Sequence, residues 1–178
     1  MIRLFAALHV PEHIGEGLAG HQNGLPGASW RPLEALHITL RFFGDIAENI
    51  ARDLDTELAV VGGRALDLNL AGVGHFGAGE DVDAVWAGVG ESAELRQLAA
   101  RCETAARRAG LKPDARIYKP HVTLAYLRRP DPARVAAWIQ AHNLLKSPDF
   151  RLLQFGLYSS WQTAEGSSYR LERAYLLG

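Results

Sequence analysis

The sequence ALHITLRFF at residues 35–43 returns, with small changes, as PHVTLAYL at residues 120–127. In both stretches apolar residues occupy every second position, which predicts β-strands with one buried face. In the first strand this alternation predicts that His37, Thr39 and Arg41 share the opposite face. Because the same pattern occurs twice, the sequence predicts a fold built from two related halves.

The rest of the chain alternates between short strands and helices whose ends carry Gly, Pro, Ser or Asp. No glycine-rich phosphate loop follows a strand, which argues against a doubly wound parallel sheet. We therefore predict an α+β fold that is bilobal and duplicated, with two antiparallel sheets facing a central cleft and helices on the outside. Residues 1–178 are expected to form a single domain of two pseudo-symmetric lobes, with one motif each at 37–40 and 121–124. Strands are predicted over residues 2–10, 35–43, 65–73, 82–89, 120–127, 150–158 and 168–177, the last two flanking a turn at 164–168, and helices over 11–22, 47–62, 92–110 and 131–143.

Composition sets the broad class of the protein. The chain has 178 residues, 48% hydrophobic and 22% charged, which is typical of a globular protein and excludes disordered, collagen-like and coiled-coil classes. A net charge of -1 argues against a protein that coats long duplex nucleic acid. The single cysteine, Cys102, cannot form an internal disulfide. The apolar stretch at the N-terminus is too short for a signal peptide and no run of about 20 apolar residues occurs, so neither a leader nor a membrane span is expected. We therefore expect a cytoplasmic protein that does not bind a membrane. We also expect a monomer, although no feature of the sequence decides the oligomeric state.

The two His-x-Thr triplets carry the chemistry. A random order of the seven histidines and five threonines predicts far fewer than one such triplet, and here both lie within apolar strands. One triplet alone would be typical of a hydrogen-bonded structural pair, whereas two facing triplets can surround one small anion. Imidazole can act as acid or base near neutral pH. This predicts in-line transfer at phosphorus, with His37 and His121 moving protons and Thr39 and Thr123 holding the non-bridging oxygens.

Other side chains are candidates for substrate contact. Arg41 and Arg128 lie close to the two motifs in sequence and could meet a phosphate. Phe43, Phe76 and Tyr126 could stack on bases, although each also suits a core position.

Residues 112–129 carry five basic residues against one acid, a net charge of +4. This basic segment is either a solvated surface or a track for an RNA backbone. His75 lies in a turn-rich stretch and is expected at the surface.

The spaced HITL and HVTL tetrapeptides, with RFFGD directly after the first, resemble the two-histidine phosphoesterases, and within them the RNA 2′,3′-cyclic phosphodiesterases, historically called 2′-5′ RNA ligases. The resemblance runs from FAALHVPE through GVGHFG and KPHVTLAYLRR to the closing strand. It implies metal-independent opening of a 2′,3′-cyclic phosphate at an RNA end to a 2′-phosphomonoester, with reversible 2′-5′ ligation as a slow related reaction.

The resemblance also implies residue roles: His37 as proton donor, His121 as proton acceptor, and Thr39 and Thr123 as phosphate ligands. In the family a basic residue often follows the second strand directly. Here residues 125–127 intervene before Arg128, so the sequence leaves open which arginine approaches the substrate.

Two other functions fit the same sequence. One is a non-catalytic module that binds RNA ends or nucleotides, although Arg or Lys would serve that task better than histidine. The other is a metal hydrolase, although no Asp or Glu stands at a ligand spacing from either motif histidine. We predict no metal, no cofactor, and a partner that is an RNA end or nucleotide bearing a 2′,3′-cyclic phosphate. The physiological substrate, whether tRNA halves, oligonucleotides or small cyclic nucleotides, stays open.

Overall fold

The computed structural model describes residues 1–164 and 166–178, which form four α-helices and ten β-strands with three short 3-10 turns. The helices are α1 Glu12–Leu18, α2 Glu48–Ala59, α3 Ala93–Arg108 and α4 Pro132–His142. The strands are β1 Ile2–His9, β2 Ser29–Trp30, β3 His37–Ile46, β4 Leu66–Leu68, β5 Leu70–Phe76, β6 Ala84–Val89, β7 His121–Tyr126, β8 Phe150–Leu152, β9 Gln154–Thr163 and β10 Gly166–Leu176.

Antiparallel pairing organises two sheets. The larger has eight strands in the order β10-β9-β1-β3-β7-β6-β5, with β2 pairing additionally to β7, and the smaller pairs β4 with β8. Every pairing between these strands is antiparallel. The predicted α+β class with two antiparallel sheets is therefore confirmed.

The strands that carry the motifs, β3 and β7, are neighbours at the centre of the large sheet. They are joined by one register pair, Ile38 opposite Val122, which we call the seam. On one side of the seam lie β1, β9 and β10, and on the other lie β6 and β5, with β2 added. The large sheet thus has two halves that meet between the two motifs.

The two faces of the sheet differ in what covers them. On β1, Leu4, Ala6 and Leu8 belong to the main core, together with buried residues of all four helices. Phe5 and Ala7, which alternate with them, belong to a separate small cluster with Tyr158 and Tyr169. The helices therefore cover one face, and the second face carries the small aromatic cluster.

Each motif strand contains a β-bulge at the leucine that ends its tetrapeptide. Against β1, Thr39 pairs with Ala7 and Arg41 with Ala6, so Leu40 is an extra residue. Against β6, Thr123 pairs with Trp86 and Ala125 with Val85, so Leu124 is the extra residue. A bulge re-aims the side chains that come after it, so the two motifs share one departure from strict alternation.

The bulge corrects two predictions on β3. Arg41 pairs with Ala6, whose side chain lies in the core face, so Arg41 does not share the face of His37 and Thr39. Phe43 is only 8% exposed and belongs to the main core, so it is not a platform for bases. Phe42 pairs with Phe5 and is 42% exposed. Because of the bulge, Phe42 is exposed and Phe43 is buried, which is the reverse of what strict alternation predicts.

Helix boundaries follow the predicted caps. The Ser92 hydroxyl accepts a hydrogen bond from the Leu95 N–H at the start of α3 (3.1 Å). The Asp131 carboxylate accepts one from the Ala133 N–H at the start of α4 (3.0 Å). Both are the N-cap residues that the sequence predicts.

Two predicted strands are divided in the structure. The stretch 65–73 contributes β4 to the small sheet and β5 to the large one, because its two parts pair with β8 and β6 respectively. The stretch 150–158 likewise divides into β8 and β9. His75 lies on β5 rather than in a turn, and it is exposed as expected. The turn predicted at 164–168 includes Glu165, which lies outside the described residues.

In the described part of the chain, no helix has the length and apolar character needed to cross a lipid bilayer.

Candidate active site

The seam fixes where the motif side chains lie. Ile38 and Val122 are fully buried in the core face, so the residues on either side of them in sequence lie on the opposite face. Antiparallel register then sets each histidine opposite the threonine of the other motif. Continuing the Ile38–Val122 register by one residue in each direction pairs His37 with Thr123 and Thr39 with His121.

A hydrogen bond fixes the orientation of His121. Its Nδ1 lies 2.7 Å from the carbonyl oxygen of Lys119. A carbonyl can only accept, so Nδ1 donates and Nε2 of the neutral ring is left as an acceptor. The rings of Phe76 and Trp86 lie against the imidazole, with centroids 4.7 and 5.9 Å away. His121 therefore presents a basic nitrogen from a fixed ring.

Burial governs the acidity of His121. Loss of solvent lowers the pKa below its usual value, the Lys119 carbonyl opposes this, and the charge of the Lys119 side chain adds to the lowering. The shift favours the neutral imidazole, which is the form that can accept a proton.

His37 lies deeper than His121 and is only 8% exposed. Aromatic rings surround it: Tyr158 at 4.7 Å, Tyr169 at 5.5 Å and Phe5 at 5.9 Å between centroids. His9, its partner on β1, lies 5.2 Å away. The Nδ1 of His37 is buried and makes no hydrogen bond within the described residues.

The surroundings of His37 strongly disfavour its charged form. Burial, and to a smaller extent the charges of His9 and Arg31, lower the pKa of His37 to about 4. The backbone of Ala35 acts in the opposite direction, although the buried Nδ1 of His37 forms no hydrogen bond to a described residue. The two motif histidines thus differ in burial, in partners and in the strength of the shift.

A cavity of about 790 Å³ opens between β3 and β7 and extends to α3 and the loop at 109–120. Thr39, His121 and Thr123 contribute to its wall. Among the predicted contacts, the described wall also includes Arg41, Phe76 and Tyr126, whereas His37, Phe43 and Arg128 lie outside it.

Phe42, an aromatic residue that strict alternation does not indicate as a substrate contact, also lies in this wall. Phe42 and Tyr126 each stand five residues after their motif histidine and come after the shared bulge, and Tyr126 is 46% exposed. An aromatic residue at the same offset in both motifs is the signal that could have identified Phe42.

Arg41 is committed to neighbours in the protein. Its guanidinium forms an ion pair with Glu103 on α3 and donates to the Lys112 carbonyl oxygen at 2.8 Å. Arg128, the other arginine considered from the sequence, is exposed on the surface. Neither is a free cation in the wall.

The middle of the basic segment at residues 112–129 lies at the cavity, and its C-terminal end does not. Arg116 and Lys119 line the wall. Arg116 forms an ion pair with Asp114 at 2.9 Å, and the Lys119 ammonium lies 4.8 Å from the Trp86 ring. If an RNA backbone runs along this cavity, Lys119 is therefore better placed than Arg128 to contact its phosphates.

Within residues 1–164 and 166–178, no group of three or more His, Cys, Asp or Glu side chains is placed to hold a metal ion. Burial raises the pKa of the Cys102 thiol to about 12, so this side chain is a neutral core residue.

Comparison with known proteins identifies the family. Residues 11–161 match the family model described as the 2′-5′ RNA ligase superfamily. The chain belongs to the 2′-5′ RNA ligase superfamily. This membership confirms the resemblance to two-histidine phosphoesterases and the prediction of an enzyme of the phosphodiesterase class.

Curated relatives in the 2′-5′ RNA ligase superfamily are RNA 2′,3′-cyclic phosphodiesterases. The protein of Archaeoglobus fulgidus is 28% identical over 98% of this chain and 99% of its own length. That of Aeropyrum pernix is 35% identical over 53% of this chain and 54% of its own length.

Solved structures of low sequence identity share the fold. TT0787 of Thermus thermophilus has a TM-score of 0.81 at 21% identity, covering 98% of this chain and 97% of that one. Escherichia coli LigT complexed with 3′-AMP has a TM-score of 0.79 at 23% identity, covering 99% and 98% of the two chains. The fold that these structures share with the chain therefore extends over nearly all of it.

Proposed function

We propose that this protein is an RNA 2′,3′-cyclic phosphodiesterase that opens a terminal 2′,3′-cyclic phosphate to a 2′-phosphomonoester by two-histidine acid–base catalysis. The observation that carries the proposal is the seam, where Ile38 pairs with Val122 and so places both His-x-Thr triplets on one face. The named activity of the relatives supports it. A monomer acting in the cytoplasm belongs to the same proposal.

The reaction needs two proton transfers at one phosphorus. A water molecule attacks the phosphorus opposite the ribose O3′, and His121 accepts a proton from that water. The P–O3′ bond breaks, and His37 donates its proton to O3′. The products are a free 3′-hydroxyl and a 2′-phosphomonoester. General acid and base groups of this kind each contribute on the order of 10²- to 10⁴-fold.

The orientation of each imidazole suits its role. His121 donates through Nδ1 to the Lys119 carbonyl, which leaves Nε2 to accept the proton of water. His37 is held neutral in the free protein, and a phosphate anion bound next to it raises its pKa and favours the proton that O3′ must receive. Substrate binding thus prepares the acid.

The threonine hydroxyls hold the phosphate while it reacts. Thr39 and Thr123 both lie in the cavity wall and are half-buried. Donors aimed at the non-bridging oxygens stabilise the charge that develops there. If a ribose hydroxyl of a second RNA takes the place of water, the same groups permit reversible 2′-5′ ligation.

The direct test is the product formed from an oligoribonucleotide that ends in a 2′,3′-cyclic phosphate. With excess EDTA present, we expect a mass gain of one water and a terminal phosphate that phosphatase removes to leave a 3′-hydroxyl and a 2′-hydroxyl. Chromatography against 2′- and 3′-phosphorylated standards then separates the expected 2′-phosphate from its 3′ isomer, which periodate cannot do because neither isomer has a free 2′,3′-diol. Binding without turnover would support a non-catalytic module, and loss of turnover on chelation with recovery on one metal would support a metal hydrolase.

The basic segment predicts how substrate length affects the reaction. An oligonucleotide should be preferred over a cyclic mononucleotide, and the preference should shrink with salt, with a slope of about two or three because few phosphates are contacted. Lys119→Glu should raise KM for the oligonucleotide more than for the mononucleotide, because Lys119 lines the wall. Both substrates should show the same change in pH profile, since the Lys119 charge also acts on His121.

The matched comparison is charge reversal at Arg128 and Arg129, which are exposed and do not line the cavity. A smaller effect on KM than that of Lys119→Glu is expected. Equal losses on both substrates for either variant would place its cation at the reacting phosphate instead, contrary to the prediction.

A further inference from the structure

Arg31 is brought to the motifs by the short strand β2. Trp30 pairs with Ala125 on β7, and the Arg31 N–H donates to the Leu124 carbonyl oxygen at 2.8 Å. The side-chain amide of Gln22 donates to the carbonyl oxygens of both Arg31 (3.0 Å) and Leu124 (3.2 Å). Arg31 therefore occupies a fixed position along the edge of β7, two residues from the seam.

The side chain of Arg31 lies on the same face as the motif histidines. Its guanidinium carbon is 5.4 Å from the ring centre of Tyr126, which lines the cavity, and 5.5 Å from that of Tyr169. Tyr169 in turn packs against His37, with centroids 5.5 Å apart. Arg31 and His37 thus contact the same tyrosine ring.

Arg31 is a buried cation without an acidic partner in the described structure. It is 9% exposed, and its two side-chain hydrogen bonds run from Nη2 to the Ser167 carbonyl (3.2 Å) and the Tyr169 hydroxyl (3.3 Å). Its Nε and Nη1 make no hydrogen bond to any described residue. Buried charges are normally paired, because removing a charge from water is costly.

We infer that Arg31 is the arginine that binds the substrate's phosphate beside His37, using the guanidinium nitrogens that no described protein group occupies. The planar fork of arginine matches two phosphate oxygens. This answers the question left open by the sequence, since Arg41 is paired with Glu103 and Arg128 is exposed. The inference rests on the proposed function only for the identity of the ligand as a cyclic phosphate.

The position of Arg31 links binding to proton transfer. In the free protein its charge disfavours protonation of His37. A phosphate anion between them offsets that charge and attracts a protonated imidazole, so its binding raises the pKa of His37, while the larger causes of the lowering, burial and the charge of His9, persist. The other groups that face His37 are His9, Tyr158, Tyr169 and Phe5.

The test compares Arg31→Met, which keeps the length of the side chain, with Arg31→Lys and with Arg52→Met, an exposed arginine of α2. Inorganic phosphate is the probe, and a 2′,3′-cyclic mononucleotide is the substrate. For Arg31→Met we expect phosphate affinity to fall at least about 10-fold, with a similar or larger fall in kcat/KM. Arg31→Lys should recover part of the loss, and Arg52→Met should match the wild type.

A readout at His37 separates phosphate binding from a structural role. By NMR, the pKa of His37 in the free protein should be higher in Arg31→Met than in the wild type, and added phosphate should raise it much less in the variant. In the wild type itself, phosphate should shift the Nε–H resonance of Arg31, a measurement that does not depend on the folding of any variant.

The outcomes are distinct. Wild-type phosphate affinity in folded Arg31→Met, or an Arg31 resonance that phosphate does not move, would overturn the inference. A wild-type protein that hydrolyses no cyclic phosphate, but loses phosphate affinity on Arg31→Met, would overturn the proposed function and leave Arg31 as an anion-binding residue.

Discussion

His37→Ala and His121→Ala should each lower turnover of a 2′,3′-cyclic phosphate by at least about 10²-fold, because each removes one of the two proton-transfer groups. The double variant should fall little further, since groups that act as a unit are not additive. The measurement is kcat with a cyclic mononucleotide at fixed pH, for both single variants and the double variant.

The control for these variants is His13→Ala, which removes an exposed histidine on α1 far in sequence from either motif. It should keep wild-type turnover. His37 is buried, so its removal leaves a small void and a modest loss of stability is expected. Thermal unfolding of each variant checks that the fold persists. Near-full activity in either single motif variant would show that the two-histidine mechanism is wrong.

The second large effect concerns pH. One imidazole must carry a proton and the other must not, so the rate should be bell-shaped and should fall about tenfold per pH unit beyond each limb. The pKa of His37 is lowered to about 4 and that of His121 is also lowered. Because kcat/KM reports the free enzyme, its maximum should lie below the usual histidine pKa of about 6.5. The profile of kcat should be displaced to higher pH, since the bound anion raises the pKa of the acid.

A variant can assign the low-pH limb. His9 lies beside His37, and its charge contributes to the lowered pKa of that group. His9→Asn should therefore raise the pKa of His37 and move the low-pH limb of kcat/KM upward, while the high-pH limb stays in place. A rate that rises continuously to high pH in the wild type would instead indicate a metal-bound hydroxide.

Alternation was sufficient to predict the site up to the threonines and insufficient beyond them. Thr39 and Thr123 follow their histidines by two residues, so both pairs share a face without further information. The bulges at Leu40 and Leu124 then reverse the faces of the residues that come after them. A leucine can occupy either a regular strand position or a bulge, so the two-residue alternation of apolar residues does not reveal the extra residue. Alternation alone therefore places Arg41 on the wrong face.

The position of Arg31 could not be predicted from the sequence, for a different reason. It follows a strand of only two residues, Ser29–Trp30, and precedes a proline, so it belongs to no periodic stretch. Its position depends on pairing with β7, which lies far along the chain. Helix caps such as Ser92 are local signals and were predicted correctly, whereas long-range pairing of a very short strand leaves no local pattern.

The pairing of β2 also has a genetic consequence. In chain order β2 lies between β1 and β3, which belong to one half of the large sheet, yet it pairs with β7 in the other half. The half that holds the second motif therefore includes a strand encoded within the segment of the first. A single crossover between two related genes, placed anywhere from β3 to β7, would join a β2 from one parent to a β7 from the other. A single crossover before β2 or after β7 leaves both strands from one parent, so chimaeras are expected to keep the original β2–β7 pairing when their junctions lie outside residues 29–126.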